Sequence, residues 1–110
     1  MQICSPEKDW RVDLCRNGDT ALLILTSDEH FDLLIIDNDL PELTGLELVE
    51  RTRKISHRSR TPIIMLSASD CETEAWRAGV NAFLKKPEQI GELPATIARF
   101  LKDGPKQMKS

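Results

Sequence analysis

The sequence predicts an α/β domain built on a parallel β-sheet, because two kinds of segment alternate along the 110-residue chain. Three short apolar segments, at 31–37 (FDLLIID), 62–67 (PIIMLS) and 80–85 (VNAFLK), are separated by amphipathic stretches. Each apolar segment is too short for a helix, and a nearly continuous apolar run is typical of a strand covered on both faces. Strands that alternate with helices favour a parallel sheet with right-handed connections.

One further strand and one helix are predicted before residue 31. Residues 11–15 (RVDLC) alternate between polar and apolar side chains, as a short strand does. Asn17 and Gly18 signal a turn, and residues 19–30 (DTALLILTSDEH) predict the helix that leads into the strand at 31–37.

Two helix starts share the pattern of a capping box, in which a hydroxyl residue precedes a glutamate by one helical turn. Thr44 and Glu47 predict the start of one helix, and Ser69 and Glu72 predict the start of the next. Gly79 is suited to end the second of these helices, because glycine readily adopts the left-handed conformation.

A last helix is predicted to run to about Leu101. Proline is tolerated only in the first turn of a helix, so Pro94 indicates that this helix starts late. We assign the domain to residues 1–101 and expect the polar tail 102–110 to fray. Apolar side chains lie on one face of the helix: Ile90, Leu93, Ile97 and Leu101.

Polar residues stand at the ends of three predicted strands. Asp37 and Ser67 end two of them, and Lys86 follows a third. Since open parallel sheets bind ligands at the carboxyl edge of their strands, these side chains are expected to converge there. A carboxylate can attack a phosphoryl group, a hydroxyl can donate to a phosphate oxygen, and an ammonium can neutralise charge.

Each of these residues also has an ordinary structural explanation. Asp37 can be a turn residue, Ser67 a cap before a helix and Lys86 a solvated surface charge. Their coincidence at three strand ends favours the phosphoryl site.

The segment 31–49 (FDLLIIDNDLPELTGLELV) resembles the signature of response-regulator receiver domains. Asp37 matches the phospho-accepting aspartate, and Pro41 and Gly45 match the proline and glycine that follow it at the family's spacings. The segments PIIMLSAS and AGVNAFLKKP are similar to the family's hydroxyl-ended strand and its Lys-Pro pair, here Lys86-Pro87. The resemblance covers residues from about 10 to 101.

This resemblance implies a flavodoxin-like parallel sheet with helices on both faces. It implies a receiver module of a two-component phosphorelay, in which a histidine kinase or phosphotransfer protein phosphorylates Asp37. Ser67 would then be drawn toward the phosphate and Phe83 would change rotamer, while the Lys86-Pro87 peptide bond is commonly cis in the family.

We expect the N-terminal βα unit of the family to be missing or rearranged in this chain, because few residues precede the strand at 11–15. That strand matches the family's second strand, whereas the absent first strand is central in the 2-1-3-4-5 order. We expect the chain to pair its strands anew, to swap segments or to dimerise, and we predict a homo-oligomer. Alternatively, the chain is the truncated product of a longer gene, which would also explain the absence of the first βα unit.

The resemblance also implies Mg²⁺, held by Asp37, by the backbone carbonyl of Asp39 and by an acidic residue after the first strand. The acidic pair of the family is missing, so we expect Asp37 and Asp39 to be the metal ligands and Mg²⁺ binding to be weak. Phosphorylation should then be impaired. The alternative is a phosphorylation-independent pseudo-receiver that acts as a protein-interaction module.

Composition excludes several other classes of function. The net charge of −3 and the sequence pI of about 5.4 argue against a nucleic-acid groove. Apolar runs fall far short of the ~20 residues of a membrane span, and no signal peptide is evident, so we expect a cytoplasmic protein.

Three widely spaced cysteines indicate reduced structural thiols, and the basic cluster at 51–60 indicates a solvated helix face.

We expect the domain not to be an enzyme. A remote alternative is a small aspartyl-phosphate phosphatase of the haloacid dehalogenase type, since 35–39 (IIDND) supplies an apolar strand followed by a D-x-D pattern. Against it, no later acidic cluster for a metal follows, and the chain is short for that fold.

Overall fold

Five strands in the described part of the chain form one sheet, and their order in space is their order along the chain. The structure is a computed structural model, which describes residues 2–3, 12–15, 18–38 and 44–107. The outermost strand, β1, pairs antiparallel with β2, whereas β2, β3, β4 and β5 are parallel neighbours. The strands are β1 (Gln2–Ile3), β2 (Val12–Cys15), β3 (Leu33–Asp37), β4 (Ile63–Ser67) and β5 (Ala82–Lys85).

Four α-helices of the described residues alternate with these strands: α1 (Gly18–Leu25), α2 (Gly45–Lys54), α3 (Glu72–Ala78) and α4 (Leu93–Gln107). The helices α1, α2 and α3 bury side chains in one core on the same face of the sheet, as right-handed connections between strands in sequential order require. The helix α4 packs on the opposite face, where Leu101 joins the buried side chains of the strands. The predicted α/β parallel sheet with helices on both faces is therefore confirmed.

The strands are buried on both faces, as their apolar sequences predict. In β3, Leu34 and Ile36 point into the core beneath α1, α2 and α3, while Leu33 and Ile35 point toward α4. These four side chains are almost fully buried. The alternation of side chains between two cores fixes the register of β3, because a shift by one residue would exchange its two faces.

The N-terminal half is paired differently from the order implied by the family resemblance. The strand β2 pairs directly with β3 in parallel, from Val12 opposite Leu33 to Cys15 opposite Ile36. The three expected outcomes were new strand pairing, segment swapping and dimerisation, and the structure shows new strand pairing. Homo-oligomerisation stays a prediction.

The helix α1 ends at Leu25, earlier than the predicted limit at residue 30. Hydroxyl groups explain this early end, because Thr26 Oγ1 donates to Leu23 O and Ser27 Oγ donates to Ile24 O. Side chains of this type bond to backbone carbonyls and compete with continuation of a helix.

The predicted caps of α2 and α3 have different outcomes. Thr44 caps α2 as predicted, and its hydroxyl accepts a hydrogen bond from Glu47 N at 3.1 Å. The predicted Ser69 cap is wrong, because Cys71 is the N-cap residue of α3 and makes no side-chain capping bond. Ser69 instead turns its backbone N–H toward Ser67 Oγ. Gly79 ends α3 with a φ of 118°, as predicted.

The last helix starts late, as Pro94 predicts. A single 3₁₀ turn (Ile90–Glu92) precedes α4, and Pro94 lies in its first turn. The backbone stays helical beyond Leu101 to Gln107. The domain limit at residue 101 stays a prediction.

Across the described residues, no helix combines the length and apolar character needed to span a membrane.

The predicted solvated basic face at 51–60 is partly wrong. Arg58 is 2% exposed, and its guanidinium donates to Leu25 O and Ser27 O and stacks over the ring of Phe31. Charged side chains are buried only when their donors find partners, and the carbonyls at the end of α1 supply them.

Candidate functional site

Asp37 and Lys86 form an ion pair at the carboxyl edge of the sheet. Lys86 Nζ lies 3.1 Å from Asp37 Oδ1. The two side chains are 25% and 27% exposed, so the pair is shielded from bulk water but reachable from it. The sequence-based expectation that these two groups meet is therefore met.

The backbone brings these residues to the same edge although they are far apart in sequence. Asp37 is the last residue of β3, and Lys86 follows β5 directly. Hydrogen bonds continue past the strand ends, from Asn38 N to Leu66 O and from Lys86 N to Ser67 O, both at 2.8 Å. The peptide bond between Lys86 and Pro87 is cis, as the resemblance implies.

Ser67 ends β4, between the strands that carry the ion pair, and it is fully buried. Its Oγ accepts from Ser69 N at 3.0 Å, from Asn38 Nδ2 at 3.4 Å and from Cys71 Sγ at 3.6 Å. None of the hydrogen bonds described for this part of the chain joins the Ser67 hydroxyl to Asp37. The structure thus brings Ser67 to the predicted edge but engages its hydroxyl with other partners.

Asn38 is a residue of this site that the sequence reasoning missed. Its Oδ1 accepts from Leu46 N at 2.9 Å, and its Nδ2 donates to Ser67 Oγ and to Cys71 Sγ. The available signal was its position, since a side-chain amide directly after Asp37 can reach both the next strand end and the start of the next helix.

The predicted metal ligands are only partly described by the structure. Asp39, and with it the proposed backbone ligand, lies outside the described residues. Within the described ranges, no group of three or more His, Cys, Asp or Glu side chains has the geometry of a metal site. Mg²⁺ in proteins is held by one or two carboxylates beside phosphate oxygens and waters. Asp37 is such a carboxylate, but the second expected ligand, Asp39, is not among the described residues, so these residues alone do not complete a Mg²⁺ site.

A second ion pair flanks the site and joins Lys85 Nζ to Asp70 Oδ1. The hydrogen bond from Lys85, followed by its charge, lowers the pKa of Asp70 below its usual range. The same hydrogen bond raises the pKa of Lys85. Lys85 N also donates to Gln89 Oε1 at 2.8 Å. The pair ties the loop after β4 to the end of β5.

Phe83, which the resemblance implies to be a switch residue, is 8% exposed in this conformation. It packs into the core beneath α1, α2 and α3 and lines a groove of about 350 Å³ with Asp70, Lys85 and Gln89. Its ring is therefore in an inward position.

The edge can support nucleophilic chemistry by a carboxylate. Asp37 offers an oxygen to an electrophile, and the neighbouring ammonium of Lys86 can neutralise negative charge that arrives with it. A phosphoryl group is an electrophile that brings such charge.

Comparison with known proteins gives a consistent result. The family model of the response regulator receiver domain matches residues 1–98. The two-component response regulator ORR5 of Oryza sativa subsp. japonica is 29% identical over 96 residues, which are 84% of this chain and 72% of that protein. The regulatory protein AtoC of Escherichia coli is 34% identical over 90 residues, which are 79% of this chain and 19% of that protein. The chain thus spans less than a fifth of AtoC.

A solved structure shows the same fold. The receiver domain of the sensor histidine kinase PA1611 from Pseudomonas aeruginosa PAO1 superposes with a TM-score of 0.69 at 26% identity. The match covers 80% of this chain and 74% of that one, whose active site cleft holds a coordinated magnesium ion.

Proposed function

Because the chain belongs to the receiver domains of response regulators, which act in two-component signalling and interact with histidine kinases or phosphotransfer proteins, we propose that Asp37 is its phospho-accepting residue. The observation that carries the proposal is the 3.1 Å contact between Lys86 Nζ and Asp37 Oδ1 at the carboxyl edge of the parallel strands. The module is a cytoplasmic, homo-oligomeric signalling domain in this proposal, with no enzymatic turnover and no nucleic-acid partner.

The proposed step is a phosphoryl transfer from a phosphohistidine of the partner. A carboxylate oxygen of Asp37 forms a bond to phosphorus while the bond from phosphorus to the histidine nitrogen breaks. The electron pair stays on that nitrogen, which takes a proton from solvent, and Asp37 becomes an acyl phosphate. Lys86 contacts one phosphoryl oxygen, and Ser67 donates to another after leaving its present partners.

We propose that Mg²⁺-dependent phosphorylation is impaired in this chain. The described carboxylate of the site, Asp37, already has a cationic partner in Lys86. Lys86 already neutralises part of the charge of this carboxylate, which weakens its attraction for a metal, and positioning plus charge neutralisation are the main sources of catalysis in phosphoryl transfer. We expect slow labelling that responds weakly to Mg²⁺.

The test is chemical phosphorylation of the purified chain by acetyl phosphate, with and without Mg²⁺, followed by intact-mass measurement. We expect slow addition of one phosphoryl group to the native chain and none to Asp37→Asn. Asp70→Asn is the matched control, because it removes another aspartate from the same edge and should keep the labelling. Equal labelling of Asp37→Asn would overturn the assignment, and rapid labelling that requires Mg²⁺ would overturn the impairment.

A second candidate is a pseudo-receiver that binds partners without phosphorylation. The engaged state of Ser67, whose hydroxyl accepts from Ser69 N, Asn38 Nδ2 and Cys71 Sγ, favours it. In that case a histidine kinase or phosphotransfer protein should bind the native chain and Asp37→Asn with equal affinity by calorimetry. An affinity that changes when Asp37 is phosphorylated would contradict this candidate.

A further inference from the structure

Asn38 holds two elements of the site together through opposite ends of its side-chain amide. Its Oδ1 accepts from Leu46 N at 2.9 Å, in the first turn of α2. Since the oxygen faces α2, the nitrogen faces the end of β4 and donates to Ser67 Oγ at 3.4 Å and to Cys71 Sγ at 3.3 Å. The backbone N–H of Asn38 is itself fixed on Leu66 O at 2.8 Å. The amide therefore has one orientation that satisfies all these groups.

We propose that Asn38 is a positioning residue that keeps the Ser67 hydroxyl in its buried orientation and so opposes the phosphorylated state. This inference rests on the proposed function, in which Ser67 donates to a phosphoryl oxygen on Asp37.

The physical reason lies in the hydrogen-bonding capacity of a hydroxyl. An oxygen of this kind has two acceptor lone pairs, and three donors, from Ser69, Asn38 and Cys71, lie within hydrogen-bonding distance of Ser67 Oγ, so its acceptor capacity is filled in this orientation. Rotation of Ser67 toward a phosphoryl oxygen breaks these contacts in a fully buried place. Loss of one such contact should shift the ratio of the two orientations by roughly two- to tenfold.

The first experiment does not depend on phosphorylation. The backbone N–H of Ser69 donates to Ser67 Oγ, so its hydrogen-exchange rate reports how often Ser67 rotates away. We expect Asn38→Ala to raise this rate roughly two- to tenfold by NMR. Thr44→Ala is the matched control, because it removes the other side-chain cap of α2 and leaves the contact between Asn38 and Ser67 intact. An unchanged Ser69 rate in Asn38→Ala would overturn the proposal.

The second experiment is a double-mutant cycle on phosphorylation. Asn38→Ala should raise the steady-state phosphorylated fraction in acetyl phosphate when Ser67 is present, and should leave it unchanged in the Ser67→Ala background. An equal effect in both backgrounds would overturn the proposal, because Asn38 would then act on Asp37 by another route. Asn38→Ala should lower the free energy of unfolding in both backgrounds. If Asn38 had a merely structural role, its effect on the phosphorylated fraction would not depend on Ser67.

The two proposals fail in different ways. If no variant is phosphorylated, the assignment of Asp37 fails, while the exchange rate of Ser69 still decides whether Asn38 holds Ser67. If the native chain is phosphorylated on Asp37 and the cycle shows no coupling, the role of Asn38 fails and the proposed function stands.

Discussion

Gly45 lies so close to Asn38 that a side chain at its position would collide with the Asn38 backbone. A Cβ atom added to Gly45 would stand 2.6 Å from Asn38 Cα and 2.9 Å from Asn38 Oδ1. The chain that leaves Asp37 and the first turn of α2 are therefore in direct backbone contact, which lets Asn38 Oδ1 reach Leu46 N. The glycine of the receiver signature has a steric reason in this chain.

We predict that Gly45→Ala destabilises the domain by about 1–3 kcal/mol, because backbone atoms cannot yield to the added methyl group as a flexible side chain can. Urea unfolding followed by circular dichroism measures the change. Gly91→Ala is the matched control, since nothing lies within 4 Å of its added Cβ. That variant should be neutral or more stable by about 0.4–1 kcal/mol. Equal losses in the two variants would contradict the steric explanation.

Arg53 joins α2 to two loops through a single guanidinium. Its Nε and Nη2 donate to Gly79 O at 2.9 Å and 2.7 Å, its Nη2 donates to Asn81 Oδ1 at 2.8 Å, and its Nη1 donates to Thr61 O at 2.8 Å. Burial lowers the pKa of this guanidinium from its usual value. The planar fork satisfies carbonyls that no single point charge can reach together.

We predict that Arg53→Met lowers the free energy of unfolding by about 2–4 kcal/mol, because carbonyl groups at the end of α3 and before β4 lose their donors. Arg53→Lys should recover only a minor part of this loss. Arg51→Met, at an exposed position of the same helix, should change stability by less than about 0.5 kcal/mol. Full recovery by lysine would show that charge, and not the fork, matters.

The alternation of strands and helices was predictable because buried strands have short apolar sequences and caps have local signals. Thr44 and Gly79 act within one or two turns of the backbone they cap, so their roles can be seen in the sequence. The Ser69 pattern failed because Ser67 Oγ competes for the Ser69 N–H, a contact that depends on the end of β4. The prediction of a solvated basic face at 51–60 failed at Arg53 and Arg58 for the same reason, since their carbonyl partners come from other elements.

The candidate site was also predictable from the sequence only in part. Asp37, Ser67 and Lys86 were predictable because parallel strands end at one edge, whatever their neighbours are. The partners of the Ser67 hydroxyl were not predictable, because they depend on how Asn38 and Cys71 are packed in space. The direct pairing of β2 with β3 was one of several open outcomes, since sequence alone does not rank them.

We predict that the domain self-associates through the face of α1. Leu23 is 74% exposed on this helix. Leu23→Glu should weaken association roughly tenfold in light scattering over a concentration series. Trp76→Glu changes the other large apolar side chain that is prominently exposed in the described residues, on α3, and should leave association unchanged. A native chain that is monomeric at all concentrations would contradict the prediction.

The ion pair between Asp70 and Lys85 should make stability depend on pH at both extremes. The pKa of Asp70 is lowered by the hydrogen bond from Lys85 and then by its charge, so the pair's stabilisation is present above the unfolded carboxyl pKa of about 4. It is lost as the pH falls through the lowered folded pKa. The pKa of Lys85 is raised by the same hydrogen bond, so its contribution is present below about pH 10 and lost as the pH rises through the raised value.

The consequence is measurable with Asp70→Asn. Both groups are solvent-accessible, so the effect should be small and should shrink further in about 1 M salt, where the screening length is about 3 Å. Urea unfolding between about pH 2 and pH 5 should show a flatter acid limb for Asp70→Asn than for the native chain. Glu74→Gln removes the same charge from the exposed side of α3 and should keep the native slope. If Asp70→Asn leaves the acid limb unchanged, the ion pair with Lys85 does not contribute to the stability of the domain.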